Sequence, residues 1–140
     1  MTSSLRITID SLAYGQAGVG RSPEGKVVFV PKTAPGDVVE VTLTHETSSY
    51  SEGVIQTIVE PSPLRVKPAC PHADICGGCP WMHIAYIAQL EAKRANVVSQ
   101  LSRIGGFKRD EAEKLVAPCI PSKREIGYRN KLEFSYAIDR

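Results

Sequence analysis

Residues 15–41 read GQAGVGRSPEGKVVFVPKTAPGDVVEV. Two β-branched runs, KVVFV from Lys26 and DVVEVTL from Asp37, stand either side of the turn signal Ala34-Pro35-Gly36-Asp37. Outward from this stretch the pattern repeats. LRITI from Leu5 precedes it, GVIQTIV from Gly53 follows it, and several of these runs alternate in polarity as half-buried strands do. The segments Tyr14–Gly20 and Pro23-Glu24-Gly25 read as further turns. Closely spaced short strands with glycine corners predict a small closed barrel over residues 1–61, because closure removes the edges that would otherwise pair with other chains.

The barrel gives way to a proline-rich connector, Pro61-Ser62-Pro63-Leu64-Arg65-Val66-Lys67-Pro68. Proline fixes φ and removes donors, so an extended, stiff link is expected here. It opens a second segment, residues 62–83, which continues through Ala69 into CPHADICGGCPWMH, Cys70 to His83. Cys70, Cys76 and Cys79 follow the spacing C-x5-C-x2-C, with Gly77 and Gly78 free of the Cβ that forbids some backbone angles. A disulfide, a redox pair, a structural zinc with His72 or His83 as fourth ligand, and an iron–sulfur cluster are the readings the spacing leaves open. Cys119, in VAPCIPS, stands apart and reads as readily as a buried small hydrophobe.

Residues 84–140 form the third segment. Ile84, Ile87, Leu90, Val97, Val98, Leu101 and Ile104 recur at helical spacing and predict a long amphipathic helix with a core-facing stripe, stopped by Gly105-Gly106. DEAEKLV from Asp110 reads as a shorter helix or turn. Tyr128 to Ile138 reads as a strand with Leu132, Phe134, Tyr136 and Ile138 on one side. A lone strand cannot satisfy its own backbone groups, so the expectation is that this chain is part of something longer. Tyr128, Arg129, Asn130 and Lys131 combine an aromatic ring with two cations, which suits a stacked base and RNA phosphates as well as it suits an ordinary solvated strand.

Charge is uneven: net −3 over residues 1–60 and net +5 over residues 61–140, within a formal total of +2. Neither half is basic enough to establish nucleic-acid binding by charge alone. Arg21, Lys26 and Lys32 are the barrel's candidates for an RNA backbone. No apolar run nears the roughly 20 residues of a membrane helix, and MTSSLRITID has no apolar signal core. A cytoplasmic chain with no membrane partner is expected.

Taken together, these motifs resemble the N-terminal part of the bacterial-type RNA (uracil-5-)-methyltransferases, which make 5-methyluridine in ribosomal or transfer RNA. GQAGVGR, GKVVFVP and APGDVVEV resemble the TRAM domain, a small OB-like RNA-binding barrel. SPLRVKPACPHADICGGCPWMH resembles the family's cluster loop, with Tyr86 and Gln89-Leu90 following as usual, and GYRNKLEFS resembles the strand that opens the central region. The resemblance implies a β-barrel followed by a cysteine-rich loop, a long helix and the first strand of an incomplete α/β central domain. It implies a 4Fe–4S cluster on Cys70, Cys76 and Cys79, RNA as the partner of a monomeric chain, and S-adenosylmethionine as cofactor of the full-length enzyme only. Trp81-Met82 departs from the polar pair common in the family. The family's chemistry, in which a cysteine attacks C6 of uracil and a base removes the C5 proton, uses residues with no counterpart here, so the isolated chain is expected to be inactive. The rival is a stand-alone RNA-binding or structural zinc-binding module.

Overall fold

The computed structural model describes residues 4–128 together with 130, 131 and 133. Five strands close into a barrel: β1 (Ser4–Leu12), β2 (Gly18–Arg21), β3 (Val27–Val30), β4 (Val38–Glu46) and β5 (Tyr50–Glu60), in the spatial order β1-β2-β3-β5-β4. The β3–β5 pairing is parallel and the others are antiparallel. Alternation in the sequence becomes inside and outside in the barrel. Ile7 and Ile9 of β1, Val28 and Val30 of β3, and Val39 and Val41 of β4 form the buried interior, with Leu5, Leu43, Ile55 and Ile58 packed against it. Register breaks along β1 and between β4 and β5 supply the local bends that closure needs.

One strand, β2, is absent from the sequence reading, which placed Gly18 and Gly20 in barrel corners. They lie instead within β2, opposite Val30 and Val28 of β3. The reason for glycine is proximity rather than turning. A Cβ on Gly18 would overlap the Thr33 hydroxyl and stand 2.8 Å from Ile9 Cγ2, and one on Gly20 would stand 2.5 Å from the Thr8 carbonyl oxygen. In the turn before β2 the left-handed residue is Gln16, with φ 76°, not Gly15.

Beyond the barrel come α1 (Ala73–Cys76), α2 (Tyr86–Arg103) and α3 (Arg109–Leu115). The expected stripe on α2 is only partly a core. Ile84, just before the helix, is fully buried and packs with Leu12, Ala34 and Ala88, with Trp81 and Ala92 alongside. Ile87, Val97 and Ile104 are exposed. Small side chains, Ala88 and Ala92, make the contact with the barrel, and Val98 is the stripe's one large aliphatic buried within the helix itself. Arg94 joins the helices by donating from Nε to the Val116 carbonyl (2.9 Å) and from Nη2 to the Glu113 carbonyl (2.6 Å). Those carbonyls end α3, where a cation is favourably placed.

Of the expected strand from Tyr128 to Ile138, the described members Tyr128, Asn130, Lys131 and Glu133 are not in a strand. Arg129, Leu132, Phe134, Tyr136 and Ile138 lie outside the described residues. Among the described residues, no helix is long and apolar enough to cross a membrane.

Candidate nucleic-acid interface and cysteine loop

The cysteine loop is pinched shut at its base. Arg65 and Ile84 form an antiparallel bridge, flanked by Val66 N–H donating to the His83 carbonyl (2.9 Å) and Ala85 N–H donating to the Leu64 carbonyl (2.8 Å). Everything from Val66 to His83 is therefore an excursion from one anchored point. Gln89 extends that anchor into α2, its amide donating to the Trp81 and Ile84 carbonyls at 3.1 and 2.8 Å.

The barrel holds the same point through Asp37, the last residue of the Pro-Gly-Asp turn. Its carboxylate is fully buried. It accepts from Ala34 N–H (2.6 Å), Ser62 N–H (2.8 Å), and Arg65 Nε and Nη2 (2.8 and 2.7 Å). Burial alone would raise its pKa. The Arg65 fork, the two amides and the guanidinium charge outweigh that and hold it below the usual carboxylate value. Ser62 Oγ donates to the Pro35 carbonyl at 2.6 Å. Gly36 adopts φ 90° with Ser62 Oγ 3.2 Å from where a Cβ would lie, so glycine serves both the turn and the docking of the linker. The proline-rich connector is thus bound to the barrel at Ser62 and Arg65 and is not a free spacer.

Three further ties fasten the loop itself. Trp81 Nε1 donates to the Gln16 carbonyl (3.0 Å), Lys32 Nζ to the Asp74 carbonyl (2.7 Å), and His83 Nε2 lies 3.2 Å from the Thr33 carbonyl, which requires the proton on that nitrogen. Burial, chiefly, lowers the His83 pKa; the Thr33 contact opposes this, and the nearby Arg65 charge adds to it. Among the described residues, Gln16 and Lys32 are the non-glycine residues with positive φ, at 76° and 62°. Such backbone is strained for a side-chain-bearing residue, and both residues serve the loop, Gln16 with its carbonyl and Lys32 with its ammonium. The Lys32 carbonyl also accepts from Arg65 Nη2 at 2.9 Å. The departure at Trp81 now has a use, as a tether to the barrel.

Within the loop, Cys76 ends α1 and Gly77 caps it at φ 67°, left-handed. Cys70 is half-buried, Cys76 and Cys79 are exposed, and all are free thiols. Among the described residues, no three Cys, His, Asp or Glu groups stand together as a metal site. The donor set suits iron–sulfur ligation in kind, three thiols on one short loop, but their sulfurs are not gathered.

The expected RNA contacts fare unevenly. Lys26 is paired with Glu46 (3.4 Å), Arg21 donates to the Gly25 carbonyl (3.0 Å) and Lys32 is the loop tie already described, so the barrel's cations are engaged within the protein. Lys131 pairs with Glu133 at 2.6 Å, with both side chains well exposed. Tyr128 lines a groove, missed by the sequence reading, between the cysteine loop, α2 and residues 119–128, with a volume of about 1440 Å³. No single run of sequence carries a signal for that groove, because distant segments make it.

A family profile described as the TRAM domain matches residues 3–55. Over 135 residues, 96% of this chain, the sequence is 45% identical to a protein of Nostoc sp. named an uncharacterized RNA methyltransferase, 28% of which is covered. Proteins of the same description from Synechocystis sp. (42% identity, 94% of this chain, 27% of that protein) and Aquifex aeolicus (36%, 97% and 31%) are similar along the same length. Among solved structures, the tRNA (uracil-54, C5)-methyltransferase of Pyrococcus abyssi in complex with S-adenosyl-L-homocysteine matches at 34% identity with a TM-score of 0.45, covering 74% of this chain and 22% of that one. The chain spans a little over a quarter of the length of the curated relatives it matches.

Proposed function

We propose, for a chain that carries a TRAM domain and is related along nearly its whole length to RNA methyltransferases, that it is the N-terminal, RNA-holding portion of a cytoplasmic RNA uracil-5 methyltransferase. Its work is to grip folded RNA of the ribosomal or transfer class so that a uridine can be presented to a methyl-transferring domain that uses S-adenosylmethionine. A base inside structured RNA must leave its stack before chemistry can reach it, which gives a separate gripping module a physical purpose. Tyr128, Arg129 and Lys131 serve as RNA contacts. The chain itself transfers no methyl group.

Cys70, Cys76 and Cys79 take an iron–sulfur cluster in this reading. When bound it would act as an inorganic cross-link across the loop tip. Two features support the assignment: the thiols are free, and Gly77 already turns the chain between Cys76 and Cys79. Gathering the sulfurs needs rearrangement only at the tip, since the base is fastened at Arg65 and Ile84.

The observation that carries the proposal is the match of the TRAM profile to a barrel onto which the cysteine loop is bound by hydrogen bonds. Two measurements test it. Filter binding of a transcribed tRNA and a ribosomal RNA fragment should give saturable, salt-dependent retention; no retention at low salt refutes the RNA role. Anaerobic purification should give a brown protein containing iron and sulfide. Colourless protein with one zinc replaces the cluster by a structural metal site, and protein with neither metal removes the metal assignment.

A further inference from the structure

The groove beside α2 combines aromatic rings with cations. Tyr14, Trp81, Tyr86 and Tyr128 line it, and Tyr14 and Tyr128 are 81% and 62% exposed. Its charged lining is Lys67, Lys93 and Arg124 against a single carboxylate, Glu125. No ion pair among the described residues engages those three cations, in contrast to the barrel's Lys26. Gln100 and Asn96 add amides able to meet base edges. The floor is aliphatic, formed by Leu90, Val97, Leu101 and Ile104.

Size selects among ligands. Small-molecule pockets hold about 300–1,000 Å³; this groove, at about 1440 Å³, is larger and open. Aromatic rings for bases and cations for phosphates, in a groove open to solvent, are the features of single-strand nucleic-acid channels. A protein segment would find the apolar floor suitable but would leave three cations facing it with one carboxylate to answer them.

We propose that this groove, rather than the outer wall of the barrel, is where a single-stranded stretch of RNA is held. Bases stack on Tyr14 and Tyr128, and phosphates lie against Lys93 and Arg124. The barrel then acts as the frame that fixes one wall of the groove, through Trp81 and Gln16. The inference rests on the RNA reading above and adds the location and the strand state of the ligand.

The test uses the 140-residue chain and a fluorescein-labelled oligouridine of eight nucleotides, followed by anisotropy between low and moderate salt. Tyr128→Ala and Tyr14→Ala should each weaken binding about tenfold, within the range for one stacked base. Lys93→Gln and Arg124→Gln should each lower the slope of log affinity against log salt by about 0.7. These charges are exposed, and unchanged circular dichroism and melting confirm that each variant is folded. Lys26→Gln, on the barrel, should leave binding unchanged. If the wild-type chain binds RNA and the groove variants bind equally well, the groove is overturned while the RNA reading stands. If the wild-type chain binds no RNA, both fall. Sedimentation showing a concentration-dependent dimer that Val97→Glu and Ile104→Glu abolish, and that oligouridine does not dissociate, makes the groove an interface between copies and overturns the proposal.

Discussion

Arg65 meets Asp37 with both Nε and Nη2, at 2.8 and 2.7 Å, and the carboxylate it meets has no exposed surface. Asp37 belongs to the barrel and Arg65 to the linker, so the pair is the joint between them. Replacing Arg65 by Met leaves a buried carboxylate without its cation. Breaking such a pair costs about 3 kcal/mol, the lower end of the range because Arg65 keeps some contact with water. At roughly 3 °C per kcal/mol for a chain of this size, the melting temperature should fall by about 10 °C. Asp37→Asn should lose less, since the amide oxygen still accepts from Ala34 or Ser62 and the charge left without its partner, that of Arg65, keeps contact with water.

Acid should loosen the same joint in two stages with distinct owners. His83 has a lowered folded pKa, so its contribution is complete above the unfolded value of about 6.5 and is lost as pH falls below it toward the folded pKa. Asp37 is also lowered, so its contribution is complete above about 3.9 and is lost as pH falls through its folded pKa. Urea midpoints measured from pH 7.5 to 5 should decline for the wild-type chain and stay flatter for His83→Gln, whose amide can still donate to Thr33. Asp37→Asn should flatten only the decline below pH 4.

Gly18→Ala should destabilise the barrel by about 3 kcal/mol, the upper end for overpacking, because the new methyl group meets the Thr33 hydroxyl. That hydroxyl is buried and donates to the Val30 carbonyl at 2.8 Å, so it cannot move aside freely. Gly15→Ala, with nothing within 4 Å of the added carbon and no positive φ, should stay within about 0.5 kcal/mol of wild type. Thermal melts of the two variants side by side separate close approach from turn geometry as the reason for glycine in this stretch.

Trp81→Phe keeps an aromatic side chain, though a smaller one, and removes the N–H donated to Gln16. The lost bond is worth about 1 kcal/mol, too little to unfold the chain. It should instead show as faster amide hydrogen exchange across residues 66–85, with β4 and β5 unchanged. Lys32→Met, which removes the tie to Asp74, should produce the same pattern.

What the sequence disclosed follows from what side-chain pattern can report. The alternating runs at Leu5, Val27, Val38 and Gly53 announced four of the barrel's strands, since inside–outside alternation is a local property. β2 went unread because its glycines are there for a neighbour's sake, and Thr33 and Thr8 are not adjacent to them in the chain. The cysteine spacing marks Cys70, Cys76 and Cys79 as candidate ligands, but whether their sulfurs come together is a matter of the loop's tertiary shape, which spacing does not report. The α2 stripe misled because periodicity identifies an apolar face without saying which part of it is seated. Ala88 and Ala92, the residues that make the contact, carry the weakest hydropathic signal. The groove was least legible, being assembled from Tyr14, the cysteine loop, α2 and residues near Tyr128.

The bridge between Arg65 and Ile84 makes a lasso of the cysteine segment, whose noose can be cut without releasing either end. A protease that nicks the chain beside Ile75, one of its most exposed apolar side chains, would leave two pieces clasped by the bridge, by Asp37 and by Trp81. They should migrate as one species on a native gel and part only in denaturant.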